Sequence, residues 1–269
     1  MTGLQIFGCG AGAALIYMTL IWIGSLVCKD ASIVDIFWGL GFMMLAVLYF
    51  ALGDGFPPRK LLLTTLVAIW GLRLAIHIFT RNAGKEEDKR YRAWRMENPR
   101  NFWWISYFRV FLLQGALMLL ISAPLLAAQI GPQPQMLTVL DWIGVALWLA
   151  GFFFEAIGDW QLARFKATPS NAGKVLNTGL WCYTRHPNYF GEAVLWWGYF
   201  LIAASTSGYW TIFSPLLMTF LLVRVSGVAL LERSLTRERR GYADYVAATS
   251  AFIPWFPKKS DSARSPQES

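Results

Sequence analysis

Residues 179–192 read GLWCYTRHPNYFGE, and four side chains in that stretch have chemistry to offer: Arg185, His186, Asn188 and Glu192. They stand directly against an apolar run, and one of only two histidines in the chain is among them. Pro187 presets φ for a first helical turn, so residues 188–192 are expected to open a helix whose first N–H groups lack intrahelical partners. Such a helix mouth attracts anions. Arg164, Lys166, Lys174 and Arg185 add positive charge from the same loop. The anion that suits them is the diphosphate of a cytosolic cofactor. Trp181, Tyr183 and Tyr189 offer flat faces on which an adenine or nicotinamide ring stacks. The competing reading is a basic loop on anionic headgroups, with the aromatic residues in the interfacial belt. That reading gives no use to His186, Asn188 or Glu192, a carboxylate one turn inside the membrane.

The elements that must position these residues are membrane helices. Hydrophobic residues fill 56% of the 269 positions and charged ones 15%, and mean hydropathy is +0.42, more than a soluble domain needs for one core. Apolar runs long enough to cross a bilayer recur over about 4–28, 32–52, 61–80, 107–128, 137–158, 189–206 and 209–231. They predict an all-α, polytopic membrane protein with seven transmembrane helices. The first run is too long and too poor in basic flanks for a cleaved signal peptide. Residues 1–256 are expected to form one membrane domain, with 257–269 a disordered cytoplasmic tail.

The net charge of +8 follows the membrane and gives no reason to expect nucleic acid. Of 24 Lys and Arg, 21 fall at Lys29, between Arg81 and Arg109, between Arg164 and Arg185, and from Arg224 onward, all on one predicted side. The opposite loops hold Arg59 and Lys60. Basic loops stay inside. This places the N-terminus outside and the C-terminus in the cytoplasm. Cys9, Cys28 and Cys182 are too far apart for a disulfide framework, and no ligand spacing for a metal is present.

Ionisable groups inside a bilayer are costly, so each asks for a partner or a purpose. Asp35, Arg73, His77, Gln114, Glu155, Asp159, Glu192 and Arg224 all fall in the predicted cytoplasmic halves of their spans, while the outer halves are apolar apart from Asp141 at a helix start. A channel or transporter needs polar groups near the midplane and a route to both sides. A cavity sealed outside and open to the cytosol suits an enzyme that brings a soluble cofactor to a lipid-soluble substrate.

The segments GDWQLARFK, NTGLWCYTRHPNYFGE and YADYVAATSAFIPWFP resemble the steroid 5α-reductase family, in particular its bacterial members. The likeness covers about the last 120 residues well, and SIVDIFWGLGF, WGLRLAIHIFTRNAG and LLQG fit more loosely. It implies a seven-helix reductase that moves hydride from NADPH to the β-carbon of a conjugated enone, such as a 3-oxo-Δ4-steroid. The family's cofactor-contacting pattern falls on Asp159, Lys166, Tyr183, Arg185, His186, Asn188 and Glu192. Lys166 stands where steroid-reducing members carry Arg, so it neutralises a phosphate without the bidentate fork. The Arg-His-Pro-x-Tyr core is shared with sterol reductases and with isoprenylcysteine and phospholipid methyltransferases. An S-adenosylmethionine-dependent methyltransferase is therefore the alternative enzyme, and a lipid transporter or scaffold the non-enzyme one.

Hydride addition pushes charge onto the carbonyl oxygen, where a donor must meet it. Asp35 occupies the region where family members place a Glu, and Trp70 falls where they place a Tyr. Trp70 has an N–H to offer but no transferable proton. Trp70, Arg73 and His77 share one helix face by spacing. Asp35 is either a desolvated proton donor or a partner of Arg73, and His77 either a relay or a packing residue. Glu232 approaches a cofactor from the last span or pairs with nearby arginines. The substrate is expected from the bilayer, membrane lipids are the other partners, and the protein is taken as a monomer. If the chain is bacterial, it belongs in the inner membrane with its cofactor site facing the cytosol.

Overall fold

The structure is a computed structural model and describes residues 1–225 and 241–258. Helices dominate it: α1 (Gly3–Cys28), α2 (Ile33–Leu52), α3 (Pro57–Asn82), the short α4 (Lys89–Glu97), α5 (Phe102–Ile130), α6 (Val139–Ala167), α7 (Pro187–Ala204), α8 (Gly208–Val225) and α9 (Tyr242–Ala248). Among the described residues there is no strand, and Thr184 and Ser250 form an isolated parallel bridge. Six of these helices, α1, α2, α3, α5, α6 and α8, are long and apolar enough to cross a membrane. Helix α7 has 18 residues, but its polar first turns lower its hydropathy and it is not one of the six. Glu232 and the end of the last predicted span lie outside the described residues.

Local chemistry explains the helix ends. Thr2 and Gln5 form a reciprocal capping box at the start of α1, and Lys29 ends it in the left-handed region at φ 55°. Pro57 and Pro58 open α3, where their missing N–H groups cost nothing. Helix α5 carries a π turn at Tyr107–Leu112 and breaks at Ser122 before Pro124. Large apolar side chains stay exposed along the walls, among them Ile16, Leu20, Leu61, Ile76 and Phe153, as a surface facing hydrocarbon requires.

The described residues divide into two compact units. One comprises Met1–Val145 and Tyr199–Ser214, the other Ala146–Gly198 and the described part of Pro215–Ser269. In the first unit α2 packs chiefly against α3 and α1. The α2–α3 crossing is a backbone contact: a Cβ on Gly39 would lie 2.7 Å from the Gly71 carbonyl oxygen, and one on Gly71 would lie 2.5 Å from that of Gly39. Only paired glycines allow such an approach. Around it pack Val34, Phe42, Leu45, Val67 and Trp70.

The first unit also holds a buried ion pair. Arg59 donates from Nε to Asp141 Oδ1 at 2.8 Å and from Nη2 to Oδ2 at 3.0 Å, and both side chains are 0% exposed. The guanidinium also reaches the carbonyls of Pro134 (3.1 Å) and Met136 (2.6 Å). Asp141 further accepts from the Thr138 N–H and hydroxyl and from the Ser205 hydroxyl. Sequence reading placed Arg59 and Lys60 in a loop, but α3 begins at Pro57 and carries both in its first turn.

Candidate functional site

In the second unit, the site is built where α6 crosses α7. A Cβ on Gly151 would lie 2.5 Å from the Gly191 carbonyl oxygen, and one on Gly191 would lie 2.4 Å from the backbone nitrogen of Glu155. About two helical turns after Gly151, a Cβ on Gly158 would lie 3.1 Å from the Pro187 ring and from the Asn188 nitrogen. This contact sets Glu155 and Asp159 of α6 beside the first turn of α7. Helix α6 runs to Ala167, so Arg164 and Lys166 lie on a helix rather than in the loop read from hydropathy.

Asp159, 6% exposed, accepts a hydrogen bond from Asn188 Nδ2 at 2.9 Å. The Asn188 Oδ1 is buried without a hydrogen-bond partner among the described residues. His186 is 3% exposed, and its ring stacks on Tyr189 with centroids 5.6 Å apart and planes at 6°. Trp181 Nε1 donates to the Gly158 carbonyl at 3.1 Å, which ties the short 3-10 turn Gly179–Cys182 to α6. Gly179 adopts φ 62° against Gln161, whose Oε1 accepts from the Leu180 N–H at 3.0 Å. Glu155 is buried and Glu192 half-buried. Pro187 opens α7, as the sequence predicts.

The cations divide into two groups. Arg164 and Lys166 are exposed in the last turn of α6, the former with its guanidinium 5.5 Å from the Trp160 ring centre, and Lys174 is exposed beyond them. Arg185 is 7% exposed, and its Nη1 donates to the carbonyls of Val246 (3.0 Å) and Thr249 at the C-terminal end of α9. Its backbone N–H reaches Ser250, the Thr184 hydroxyl reaches the Phe252 carbonyl, and the Trp255 N–H reaches Tyr183. Cations that close a helix C-terminus satisfy its orphan carbonyls and its dipole. Tyr183 is exposed, with Phe256 edge-on at 6.0 Å.

In the first unit, Asp35 sits in the first turn of α2 with partners from α4. Tyr91 donates to Asp35 Oδ1 at 3.4 Å, and Arg90 Nη2 lies 3.6 Å from Oδ2. Gln114 Nε2 donates to the Tyr91 hydroxyl at 3.4 Å. Asp35 thus has an ion-pair partner in Arg90, a residue the sequence reading, which offered Arg73, did not name. Burial, then the Asp35 charge, push the Tyr91 phenol above its ordinary value, so it keeps its proton at neutral pH. Trp70 is fully buried with its ring 5.8 Å from Phe42, while Arg73 and His77 are half-buried on the same helix.

Helix α4 is held in place by charge. Asp88 caps it through the Arg90 N–H, and Glu87 bridges the Ala31 N–H (2.8 Å) to the Arg95 guanidinium. Burial alone would raise the Glu87 carboxyl, but the bonds from Arg95 and Ala31 outweigh it and hold it below the usual range. Asp88 is lowered in the same way, burial being outweighed by the side chain and backbone of Arg90. Tyr91 is the member of this cluster that sequence reasoning missed. The signal was there: one tyrosine at the fourth position of a charged, Asp-capped run, DKRY. Among the described residues no group of side chains is arranged to hold a metal ion.

These features define a class: an all-helical integral membrane protein that keeps a polar cluster buried at a glycine-lined helix crossing. The chain belongs to the family described as "Protein of unknown function (DUF1295)", whose model matches residues 21–249. It is 25% identical over 235 residues to the uncharacterized protein C594.04c of Schizosaccharomyces pombe, covering 77% of this chain and 68% of that one. It is also 36% identical over 66 residues to the 3-oxo-5-alpha-steroid 4-dehydrogenase 1 of Macaca fascicularis. That match spans 24% of this chain and 25% of the dehydrogenase. No solved structure matches the chain at a significant level.

Proposed function

We propose that this chain is an integral membrane oxidoreductase transferring hydride from NADPH to the conjugated double bond of a 3-oxo-Δ4-steroid or a similar lipophilic enone. The observation that carries the reading is the polar cluster at the α6–α7 crossing, where a buried acceptor, Asn188 Oδ1, is left to a ligand. The partial likeness to a steroid dehydrogenase supports the substrate class.

The residues present fit a dinucleotide. Asp159 holds one end of the Asn188 amide, which leaves the other end as an acceptor of fixed orientation for a carboxamide N–H. Trp181, Tyr183 and Tyr189 supply aromatic faces, and His186, stacked on Tyr189, is held rigid beside them. Arg164 and Lys166 provide exposed positive charge for phosphate, and Arg185 fixes the loop by closing α9. Bound NADPH supplies the hydride. Asp35, Trp70, Arg73 and His77 are kept as the catalytic candidates, and Tyr91, which donates to Asp35 and accepts from Gln114, joins them as a proton source.

On this reading α7 is a seventh span, the N-terminus lies outside, and the C-terminus and the loop before α7 face the cytosol. Residues 1–256 act as one monomeric membrane enzyme, in the inner membrane if bacterial, that takes its substrate laterally from the bilayer.

The test is NADPH binding, followed by energy transfer from tryptophan, and NADPH consumption at about 340 nm with testosterone or progesterone in liposomes. Asn188→Ala is expected to weaken NADPH binding about tenfold, the equivalent of one hydrogen bond. Tyr91→Phe and Asp35→Ala are expected to lose turnover while binding persists. Binding of S-adenosylmethionine with none of NADPH would replace this reading with the methyltransferase one.

A further inference from the structure

The segment joining α3 to α5 presents an exposed apolar and basic face that none of the chemistry above uses. Tyr91 and Phe102 turn inward and are buried, the Arg95 guanidinium lying 4.2 Å from the Phe102 ring centre. Trp94, Met96, Trp103, Trp104 and Phe108 turn outward, and Met96 is 73% exposed. Five large apolar side chains so close together are more than a solvated loop tolerates.

The charges have a pattern as well. Glu86, Glu87 and Asp88 are each matched to an arginine of the same segment: Arg92, Arg95 and Arg90. The charge that the face shows outward is therefore carried by exposed Lys89, Arg100 and Arg109 against Glu97, the single exposed carboxylate of residues 89–109, which leaves it net positive. Trp103, Trp104 and Phe108 belong to the first turns of α5, one of the six helices long and apolar enough to span. The face is thus continuous with that helix's outer wall, where Leu113 and Leu120 are also exposed.

We infer that residues 89–109 form an in-plane anchor that lies in the headgroup layer of the membrane and binds anionic phospholipid. Indole and thioether groups take the boundary between headgroup and acyl chain, and Lys89, Arg100 and Arg109 take the phosphates. The occupant follows from both observations together: continuity with a spanning helix specifies lipid, and the sign of the exposed charge specifies anionic headgroups. Helix α4 is then pinned from two sides, by lipid outside and by the Asp35–Tyr91 contact inside. The inference does not depend on the reductase reading.

The experiment uses the full-length chain with Cys9, Cys28 and Cys182 replaced by serine and one new cysteine, Met96→Cys or Trp104→Cys, carrying an NBD fluorophore. Lys85→Cys, in the exposed turn before α4, serves as the aqueous reference. The protein is placed in nanodiscs of phosphatidylcholine, with or without phosphatidylglycerol, containing lipids spin-labelled near the headgroup. Positions 96 and 104 are expected to emit at shorter wavelength than position 85 and to be quenched roughly twofold more, with stronger quenching when phosphatidylglycerol is present. Arg100→Glu is expected to remove the phosphatidylglycerol increment. Water-like emission at both positions overturns the proposal. So does a blue shift without lipid quenching, which would mean that protein covers the face. Equal quenching in the two lipid compositions overturns the anionic preference.

Discussion

Removing one member of the Arg59–Asp141 pair leaves the other charged at a site where both side chains are 0% exposed. Arg59 makes four hydrogen bonds, two to Asp141 and two to the carbonyls of Pro134 and Met136, and Asp141 accepts three more from Thr138 and Ser205. An uncompensated buried charge costs about 3 to 5 kcal/mol. For a chain of this length that corresponds to a fall in Tm of roughly 6 to 20 °C. Arg59→Met and Asp141→Leu should each show it. The double variant removes both charges and should be more stable than either single one, because replacing a whole buried pair by apolar groups is close to neutral. It should still fall short of the parent, since the Pro134 and Met136 carbonyls lose their donor at about 1 to 3 kcal/mol each if they stay buried. The assay is thermal unfolding of the purified protein in detergent, read by retention of a monodisperse peak after heating. Single variants within about 2 °C of the parent, or a double variant whose loss equals the sum of the two, would refute the claim that the pair acts as a unit.

Gly39→Ala and Gly71→Ala should each destabilise by about 1 to 3 kcal/mol, because each Cβ meets the opposing carbonyl oxygen, whereas Gly12→Ala has open space around it and should be neutral or mildly stabilising. Thermal unfolding separates these outcomes, and equal effects at positions 12 and 39 would count against the helix contact. Glu87 and Asp88 titrate below their ordinary values, so their contribution to holding α4 is full above the ordinary carboxylate value of 4.5 for Glu87 and is lost as pH falls through the lower folded-state value. Amide exchange in residues 83–101 should therefore quicken, relative to the remaining helices, as pH is brought from neutral to below 4.5; unchanged relative protection would contradict the assignment. Arg185→Ala should free the chain after α9 to protease near residues 249–255 while α1–α3 stay protected, and an unchanged cleavage pattern would show that the guanidinium bonds hold nothing.

Hydropathy made the spans legible because a bilayer core admits little else, and Pro187 marked the start of α7 because proline fits a first turn and no later one. Hydropathy also misplaced boundaries. The apolar run of α6 ends near Gly158, yet the helix continues to Ala167, since Gln161, Leu162, Ala163, Arg164 and Lys166 are strong helix formers whatever their polarity. Pairings were less accessible. Asp141 lies 82 positions from Arg59 and Tyr91 lies 56 from Asp35, and nothing local in either segment names its partner. Arg185 shows the same limit from the other side: its basic loop and helix mouth suggested phosphate, while two carbonyls 61 and 64 residues downstream occupy one of its nitrogens. The glycines at 39, 71, 151 and 191 stood in the sequence without a helical pairing to give them meaning.

The bonds that seat residues 183–185 come from Val246, Thr249, Ser250, Phe252 and Trp255. During synthesis, then, α6 and α7 are made before the turn between them has its support, which follows 61 to 64 residues after Arg185. A product that stops before Val246 would carry this turn without the carbonyls that seat it.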